Sequence, residues 1–328
     1  MQQPVWGAWK DTCRMTKARA YGRVGLLGNP SDMYGGKGIG FTFDRTAEVE
    51  VSDSLEWKVN GEPVNVDDYG SHRLVKSTVN YLGLKDKLAV KYSSNIPRGL
   101  GLGGSSAIII AAIRAINEHF EVCLDDFQIA EFATYTERER LGIAAGFLDR
   151  YTISFEGLLF MDFEGKEEAD KLVYGKYERL NAGDMPYFLV LGYGKNSSGS
   201  VHNSLWERFR QGDKSFRASV KGSMDKIAAL AVEGKEHIKQ RNWRAVGKLM
   251  NENHLLRKYL AEKYHEHGLF RKSDDELVDS ARKCGALGAK VAGSGGAVVV
   301  LGEQDVFDRM KCKYGDKCFR AKIMRKEK

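Results

Sequence analysis

The chain has 328 residues, 42% of them hydrophobic, which is enough for one large domain or two medium domains with their own cores. Lys and Arg total 51 against 44 Asp and Glu, and this net charge of +7 is scattered, so no nucleic-acid partner is indicated. Five widely spaced cysteines without a Cys-x-x-Cys pair indicate neither a disulfide framework nor a zinc module. The longest apolar run, 107–113, is far too short to cross a bilayer. We therefore expect a reduced, cytoplasmic protein without a membrane partner.

The first half of the chain reads as strands followed by helices. A flexible lead-in is expected over 1–17, and alternating apolar and polar residues predict strands at 19–27, 47–51 and 88–92. Residues 105–120 are apolar nearly all round, which is typical of a buried helix. Asp125 and Asp126 can cap the next helix, predicted to run to about Arg140. A hairpin is predicted around Glu156 and Gly157.

The second half begins after a polar linker near 181–186. Strands are predicted at 187–193, 297–301 and 318–324, and helical patterns at 201–263 and 273–284. The chain is therefore predicted to be α+β in two lobes, with an N-terminal lobe over 18–183 and a C-terminal lobe over 184–328.

The segment 95–107, Asn-Ile-Pro-Arg-Gly-Leu-Gly-Leu-Gly-Gly-Ser-Ser-Ala, is the most informative stretch. Glycines let backbone N–H groups approach a ligand, and the helix that follows presents unpaired N–H groups and a positive dipole end to the same place. Such a junction is an anion site, most often for phosphate. The predicted phosphate-binding residues are Pro97, Gly99, Gly101, Leu102, Gly103, Gly104, Ser105, Ser106 and Ala107.

Two alternative interpretations of this segment remain. It could be a close-packed glycine turn without a ligand. Gly99, Gly101 and Gly104 also fit the dinucleotide-binding pattern, but that pattern requires an acidic residue at the end of the next strand, whereas Glu118 and Glu121 lie in the helix tail. A Walker-type loop is excluded because no Gly-Lys pair precedes Ser or Thr.

Carboxylates near the glycine segment could serve phosphoryl transfer, which needs bound phosphates, a metal ion and a group that handles the acceptor's proton. Ser106 is placed to bind Mg²⁺, and the candidate carboxylate ligands are Glu131, Glu137 and Glu139. The alternative is a solvated helix face whose acidic residues pair with neighbouring arginines. Asp149 follows a Gly- and Ala-rich turn that a ligand could approach, although the residues alone favour a simple turn or cap aspartate.

Taken together, four separated motifs resemble the galactokinase, homoserine kinase, mevalonate kinase and phosphomevalonate kinase (GHMP) superfamily. They lie in the expected order at 22–28, 97–107, 137–149 and 290–296, and an additional glycine at 103–104 is a minor departure. The resemblance implies a two-lobed fold with the active site between the lobes. The N-terminal lobe would be a ribosomal-protein-like α/β unit with a left-handed crossover, and the C-terminal lobe would be ferredoxin-like.

Within the superfamily the chain most resembles the glucuronokinases, plant-type sugar-acid kinases. The matching segments are 27–34, 95–98, 141–150 and 293–300, with a looser match at 198–202. The Asn-Pro-Ser-Asp turn replaces the Glu-His turn of galactokinases, which argues against galactose. The resemblance implies ATP- and Mg²⁺-dependent phosphorylation of the anomeric hydroxyl of D-glucuronate, by a monomer or homodimer. Alternatives are a kinase for a heptose, another sugar or a mevalonate-type acceptor, a non-catalytic regulator with this fold, and a Rossmann-type oxidoreductase.

The resemblance also implies residue roles in catalysis and metal binding. Asp149 falls on the catalytic aspartate, Arg23 on its basic partner, and Ser106 and Glu137 on the Mg²⁺ positions. Glu139 remains an alternative Mg²⁺ ligand to Glu137, because the motif spacing here differs by one residue from that of the glucuronokinases.

Substrate contacts are predicted at four residues. Asp32 could accept hydrogen bonds from sugar hydroxyls, and Gly295 could contact the acceptor. A guanidinium matches a carboxylate with a two-point fork, so either Arg150 or Arg98 is predicted to bind the C6 carboxylate. A structural or surface arginine is the alternative for each.

Overall fold

The fold is given by a computed structural model that describes residues 14–68, 70–166, 173–192, 203–266 and 269–326. Its strands are β1 (Met15–Leu27), β2 (Lys37–Asp53), β3 (Lys58–Val59), β4 (Glu62–Pro63), β5 (Leu88–Ser94), β6 (Leu158–Asp162), β7 (Lys176–Leu180), β8 (Tyr187–Leu191), β9 (Gly288–Val291), β10 (Ala297–Leu301) and β11 (Cys318–Phe319). Its α-helices are α1 (Arg73–Leu82), α2 (Gly104–His119), α3 (Asp126–Tyr135), α4 (Leu148–Phe155), α5 (Asn203–Gln211), α6 (Lys214–Lys239), α7 (Trp243–Lys263), α8 (Lys272–Lys283) and α9 (Gln304–Tyr314). Among these helices, none is long and apolar enough to cross a membrane.

The first sheet contains all seven strands before residue 181. The long strand β2 pairs along one edge with β1, and its other edge carries β6 at one end and β5 at the other, all antiparallel. β3 and β4 extend the sheet beyond β5, and β7 extends it beyond β6. Helix α2 packs on β1 and β2. Its side chains Ile109, Ile113 and Ile116 are fully buried, as its all-round apolar sequence predicts.

The second sheet has the order β11-β8-β10-β9 and is antiparallel throughout. Helices α5 to α8 connect β8 to β9, and α9 connects β10 to β11, which gives the strand-helix-strand-strand-helix-strand succession of ferredoxin-like units. All five residues of the central strand β10 are buried, so the prediction of a strand at 297–301 is confirmed. Helix α6 packs on β2 of the first sheet, whereas α7 packs on β9 of the second. The lobe boundary near 183–184 stays a prediction.

Several sequence predictions differ from the structure in detail. Part of the expected lead-in, 1–13, lies outside the described residues, but β1 already begins at Met15. The loosely matching stretch 198–202 also lies outside them. The hairpin at Glu156 and Gly157 is wrong, because helix α4 precedes this turn. Both residues have positive φ, 56° and 102°, and they turn the chain from α4 into β6. Sequence reasoning missed α1 entirely.

The end of the chain returns to the first sheet. The predicted strand at 318–324 is interrupted after β11, and residues 322–324 lie instead beside β2, between the positions of β6 and β5. The Asp44 N–H donates to the Lys322 carbonyl at 3.1 Å, and the Met324 N–H donates to the Thr42 carbonyl at 3.0 Å. The Thr42 hydroxyl donates to the Met324 carbonyl at 2.7 Å. Residues 322–324 therefore fill a gap in the edge of the first sheet.

Candidate active site

A cleft of about 410 Å³ brings together most of the residues singled out in the sequence. It is lined by these members of the predicted phosphate-binding set: Pro97, Gly99, Gly101, Leu102, Gly103, Gly104, Ser105 and Ser106. Ala107 is different, because it is fully buried and its N–H donates to the Gly103 carbonyl at 2.9 Å. This bond begins the regular hydrogen bonding of α2, so the expectation that the Ala107 amide holds a phosphate is corrected.

The start of α2 faces the cleft with unpaired backbone donors. Gly103 is the N-cap, so the N–H groups of Gly104, Ser105 and Ser106 precede the first intrahelical bond. The first turn of the helix contains no acidic residue. The positive end of the helix dipole and these N–H groups therefore point at the same part of the cleft, which is the arrangement that binds phosphate.

The glycine loop packs so tightly that side chains are excluded at two positions. Gly101 has a φ of +66°, and a Cβ there would lie 2.8 Å from the Gly295 carbonyl oxygen. Gly103 has a φ of +77°, and a Cβ there would lie 2.9 Å from Cγ of Arg23. Gly104 is helical, and its Cβ would lie 3.6 Å from Cγ2 of Ile96, an ordinary contact.

We expect Gly101→Ala to lower the free energy of unfolding by about 1–3 kcal/mol, because the left-handed conformation and the contact with Gly295 both resist a Cβ. Gly104→Ala is the matched control and is expected to be neutral or to stabilise by about 0.4–1 kcal/mol. Denaturant unfolding of the two variants measures the difference. Equal stabilities would contradict the loop geometry described above.

Arg23 connects the glycine loop to the predicted catalytic aspartate. Its guanidinium forms an ion pair with Asp149 and donates to the carbonyls of Gly101, at 2.5 Å, and Ala292, at 3.4 Å. The side chain is buried, and it leaves β1 just after a shift in the pairing register with β2. Such irregularities re-aim side chains, and here the guanidinium reaches the cleft. The structure thus brings Arg23 and Asp149 together, as the resemblance implies.

Asp149 lies in the first turn of α4, where a quarter of its side chain is exposed to the cleft. Asp32 lies beside it in the β1–β2 turn, and its Oδ2 accepts the N–H of Leu148 at 3.0 Å. Burial raises the pKa of the Asp32 carboxyl above its ordinary value. A Cβ on Gly146 would lie 2.1 Å from the same Oδ2, so this glycine permits the close approach. Asp32 also lines the cleft, where the sequence places a contact to sugar hydroxyls.

Glu137 is held next to Ser106 by an unusual helical segment. After α3, residues Thr136–Arg140 form a π-helix, a rare winding that is frequently found at functional sites. The Ser106 hydroxyl donates to Oε1 of the buried Glu137 at 3.0 Å. Of the other two candidate carboxylates, Glu139 is exposed, and Glu131 is buried behind the cleft against Tyr151 and Lys166.

The pair Ser106 and Glu137 suits a weakly held Mg²⁺ ion. A hydroxyl and a carboxylate are the hard oxygen ligands that Mg²⁺ prefers, and it commonly takes its remaining ligands from phosphates and water. Within 14–326 as described, no cluster of three or more His, Cys, Asp or Glu residues could form an all-protein metal site. The donor set therefore fits an ion that arrives with phosphates rather than one held by the protein alone.

The Arg150 guanidinium is engaged by groups of the protein itself. It is buried and forms an ion pair with Glu137, its Nη1 donates to the Gly146 carbonyl at 3.0 Å, and Nη1 lies 3.7 Å from Asp149. Burial, together with the nearby Arg23, lowers the pKa of Arg150 to about 9. Because its charge is already paired with Glu137, the contacts favour the alternative of a structural arginine, and binding of the C6 carboxylate by Arg150 stays a prediction.

The two other predicted substrate residues, Arg98 and Gly295, differ in how they are placed relative to the cleft. Arg98 is exposed where it lines the cleft. Gly295 packs behind Gly101, and its neighbours Gly293 and Ser294 line the cleft instead. Sequence reasoning missed several side chains that line the cleft, among them His72, Tyr92 and Arg257. Each comes from a segment without a recognisable motif, so no local signal could have identified it.

Comparisons with known proteins agree with this architecture. The sequence profile described as GHMP kinases N terminal domain matches residues 72–157, and the profile described as GHMP kinases C terminal matches residues 235–318. The chain is 34% identical over 314 residues to probable glucuronokinase 2 of Arabidopsis thaliana, which covers 86% of this chain and 83% of the relative. Glucuronokinase 1 of the same plant is 31% identical over 313 residues, with coverages of 86% and 84%.

Solved structures show the same fold at low sequence identity. Lactococcus lactis galactokinase complexed with galactose superposes with a TM-score of 0.76 at 16% identity, over 96% of this chain and 95% of that one. Methanococcus jannaschii mevalonate kinase gives 0.67 at 22% identity, over 96% and 100%. The chain therefore belongs to the GHMP kinase family, and the predicted fold class is confirmed. Membership identifies it as a kinase, an enzyme that transfers a phosphoryl group.

Proposed function

We propose that this kinase transfers the γ-phosphoryl group of ATP, with Mg²⁺, to the anomeric hydroxyl of a sugar acid, D-glucuronate, giving glucuronate 1-phosphate and ADP. The observation that carries the proposal is the position of Asp149, which faces the same cleft as the glycine loop and is paired with Arg23. The two Arabidopsis relatives named glucuronokinase support the choice of acceptor.

In this proposal, one set of residues in the cleft binds ATP and another set binds the sugar acid. The N–H groups at the start of α2 and the loop from Gly99 to Gly104 hold the triphosphate. Ser106 and Glu137 hold the Mg²⁺ ion, which neutralises phosphate charge when bound. Asp149 receives or orients the proton of the attacking hydroxyl, and Arg23 fixes the carboxylate and stabilises charge beside it. Asp32 accepts hydrogen bonds from the sugar.

A panel of acceptors tests the proposal. Purified protein with ATP and Mg²⁺ is offered D-glucuronate, D-galacturonate, glucose, galactose, mevalonate and a heptose, and ADP release is followed. We expect glucuronate to give the highest kcat/KM, and NMR of the product to place the phosphate on C1. A higher kcat/KM for a neutral sugar or for mevalonate would contradict the sugar-acid assignment. Nucleotide binding without turnover on any acceptor would instead support a regulator that retains the fold.

A further inference from the structure

Arg257, on α7, carries a buried charge that makes no direct ion pair among the described residues. Its Nε donates to the Leu269 carbonyl at 2.6 Å, and its Nη1 donates to the Gly293 carbonyl at 2.7 Å. The residue is only 2% exposed, yet it lines the cleft. Among the described residues, Nη2 has no hydrogen-bond acceptor and no carboxylate lies within ion-pair distance of the guanidinium. The Asp274 carboxylate attracts the guanidinium electrostatically without contacting it, and it accepts the N–H of Gly296 at 3.1 and 3.2 Å.

A buried cation that no carboxylate contacts directly is costly, so its position requires an explanation. Burial lowers the pKa of Arg257 to about 10, which leaves the guanidinium charged at neutral pH. The two carbonyl bonds fix its orientation and use only two of its five N–H donors. The remaining donors and the unpaired charge suit an anion that enters the cleft.

The packing of α7 shows which part of the cleft Arg257 serves. Asn253 precedes it by four residues and so lies on the same face of the helix. The Asn253 side chain accepts the Gly28 N–H at 2.9 Å and donates to the Asn29 carbonyl at 3.2 Å. This face of α7 is therefore bound to the β1–β2 turn, which continues into Asp32.

Under the proposed function, the β1–β2 turn lies on the acceptor's side of the cleft, because it carries Asp32, the proposed contact to the sugar. Asn29, Pro30 and Asp32 line the cleft together with Arg257. Asp32 in turn binds the N–H of Leu148, the residue next to Asp149. An anion held by Arg257 would thus lie beside an acceptor whose hydroxyl is directed at Asp149.

We propose that Arg257 binds the carboxylate of the acceptor and is the residue that selects a sugar acid over a neutral sugar. This inference rests on the proposed function and names a specificity-determining contact within it. Arg257 fits the role better than the two arginines predicted from the sequence, because Arg150 is paired with Glu137 and Arg98 is exposed to solvent, which weakens a charge interaction.

Arg257→Gln tests the assignment with two acceptors of nearly equal shape, D-glucuronate and its uncharged analogue D-glucuronamide. A charge-assisted hydrogen bond contributes enough to change affinity by about 10–100-fold. We therefore expect the KM for glucuronate to rise by that factor, the KM for glucuronamide and for ATP to change less than about threefold, and the preference for the acid to disappear. Arg257→Lys, which keeps the charge, is expected to retain part of the preference and decides the question if Arg257→Gln does not fold.

Three results would overturn the assignment. The first is an undiminished preference for glucuronate in Arg257→Gln. The second is a rise in the KM for ATP with the KM for glucuronate unchanged, which would assign the guanidinium to a phosphate. The third is loss of the preference in Arg98→Ala but not in Arg257→Gln. If the wild-type protein phosphorylates no sugar acid, the proposed function itself is wrong, and the proposed contact of Arg257 is wrong as well. This outcome is recognised before any variant is compared.

Discussion

Replacing Asp149 with asparagine is expected to lower kcat by about 10²–10⁴-fold, the range for removal of a group that handles the acceptor's proton. Asparagine keeps the size of the side chain and an oxygen that can accept a hydrogen bond from Arg23, but it loses the negative charge. The KM for ATP should change little, because the glycine loop and the start of α2 are intact. Steady-state kinetics with glucuronate and ATP measures both quantities.

The control for Asp149→Asn is Asp162→Asn. Asp162 ends β6 outside the cleft, has nearly the same side-chain exposure, 23% against 25%, and forms an ion pair with Lys37 at 3.0 Å. It should keep wild-type kcat. If both variants melt at similar temperatures and Asp149→Asn retains normal turnover, the catalytic role of Asp149 is excluded.

Glu137→Gln is expected to have the second largest effect, because it removes a proposed Mg²⁺ ligand and leaves the buried Arg150 without its partner. The Mg²⁺ concentration for half-maximal activity should rise by about 10–100-fold, the range already seen when only the partners of metal ligands are changed. Breaking a buried ion pair by removing one member typically costs about 3–5 kcal/mol, so the melting temperature should also fall by several degrees.

Glu139→Gln is the matched control, two residues away on the same π-helical segment but exposed. Its Mg²⁺ requirement and melting temperature should equal those of the wild type. A second measurement does not depend on turnover: Mg²⁺ should increase the thermal stabilisation by a non-hydrolysable ATP analogue in Glu139→Gln but not in Glu137→Gln. The opposite pattern would assign the metal to Glu139.

Local signals in the sequence predict elements of the fold well where the cause is itself local. The all-round apolar segment 105–120 became α2, and Asp125 became the N-cap of α3, with Gln128 completing a reciprocal pair of side-chain-to-backbone bonds. The winding of Thr136–Arg140 had no such signal, because five polar and charged residues are compatible with an α-helix as well as a π-helix. The same is true of the missed helix α1, whose start has no side-chain cap.

The arrangement of the site depends on contacts between distant parts of the chain. Arg23 and Asp149 are 126 positions apart, and only the resemblance to a family indicated that they meet. No motif predicts that Arg150 turns towards Glu137, since that depends on how α4 and the π-helical segment pack together. The position of Arg257 in the cleft could not be predicted from the sequence for a similar reason. It depends on the hydrogen bonds by which Asn253 attaches α7 to the β1–β2 turn.

The return of residues 322–324 to the edge of β2 affects how the protein can be made. During translation, β1 to β7 emerge well before residues 322–324, so one stretch of the long strand β2 stays without its neighbour until those residues have followed. A nascent N-terminal lobe can therefore collapse early, yet the edge of its sheet is completed only when residues 322–324, far along the chain, have been synthesised.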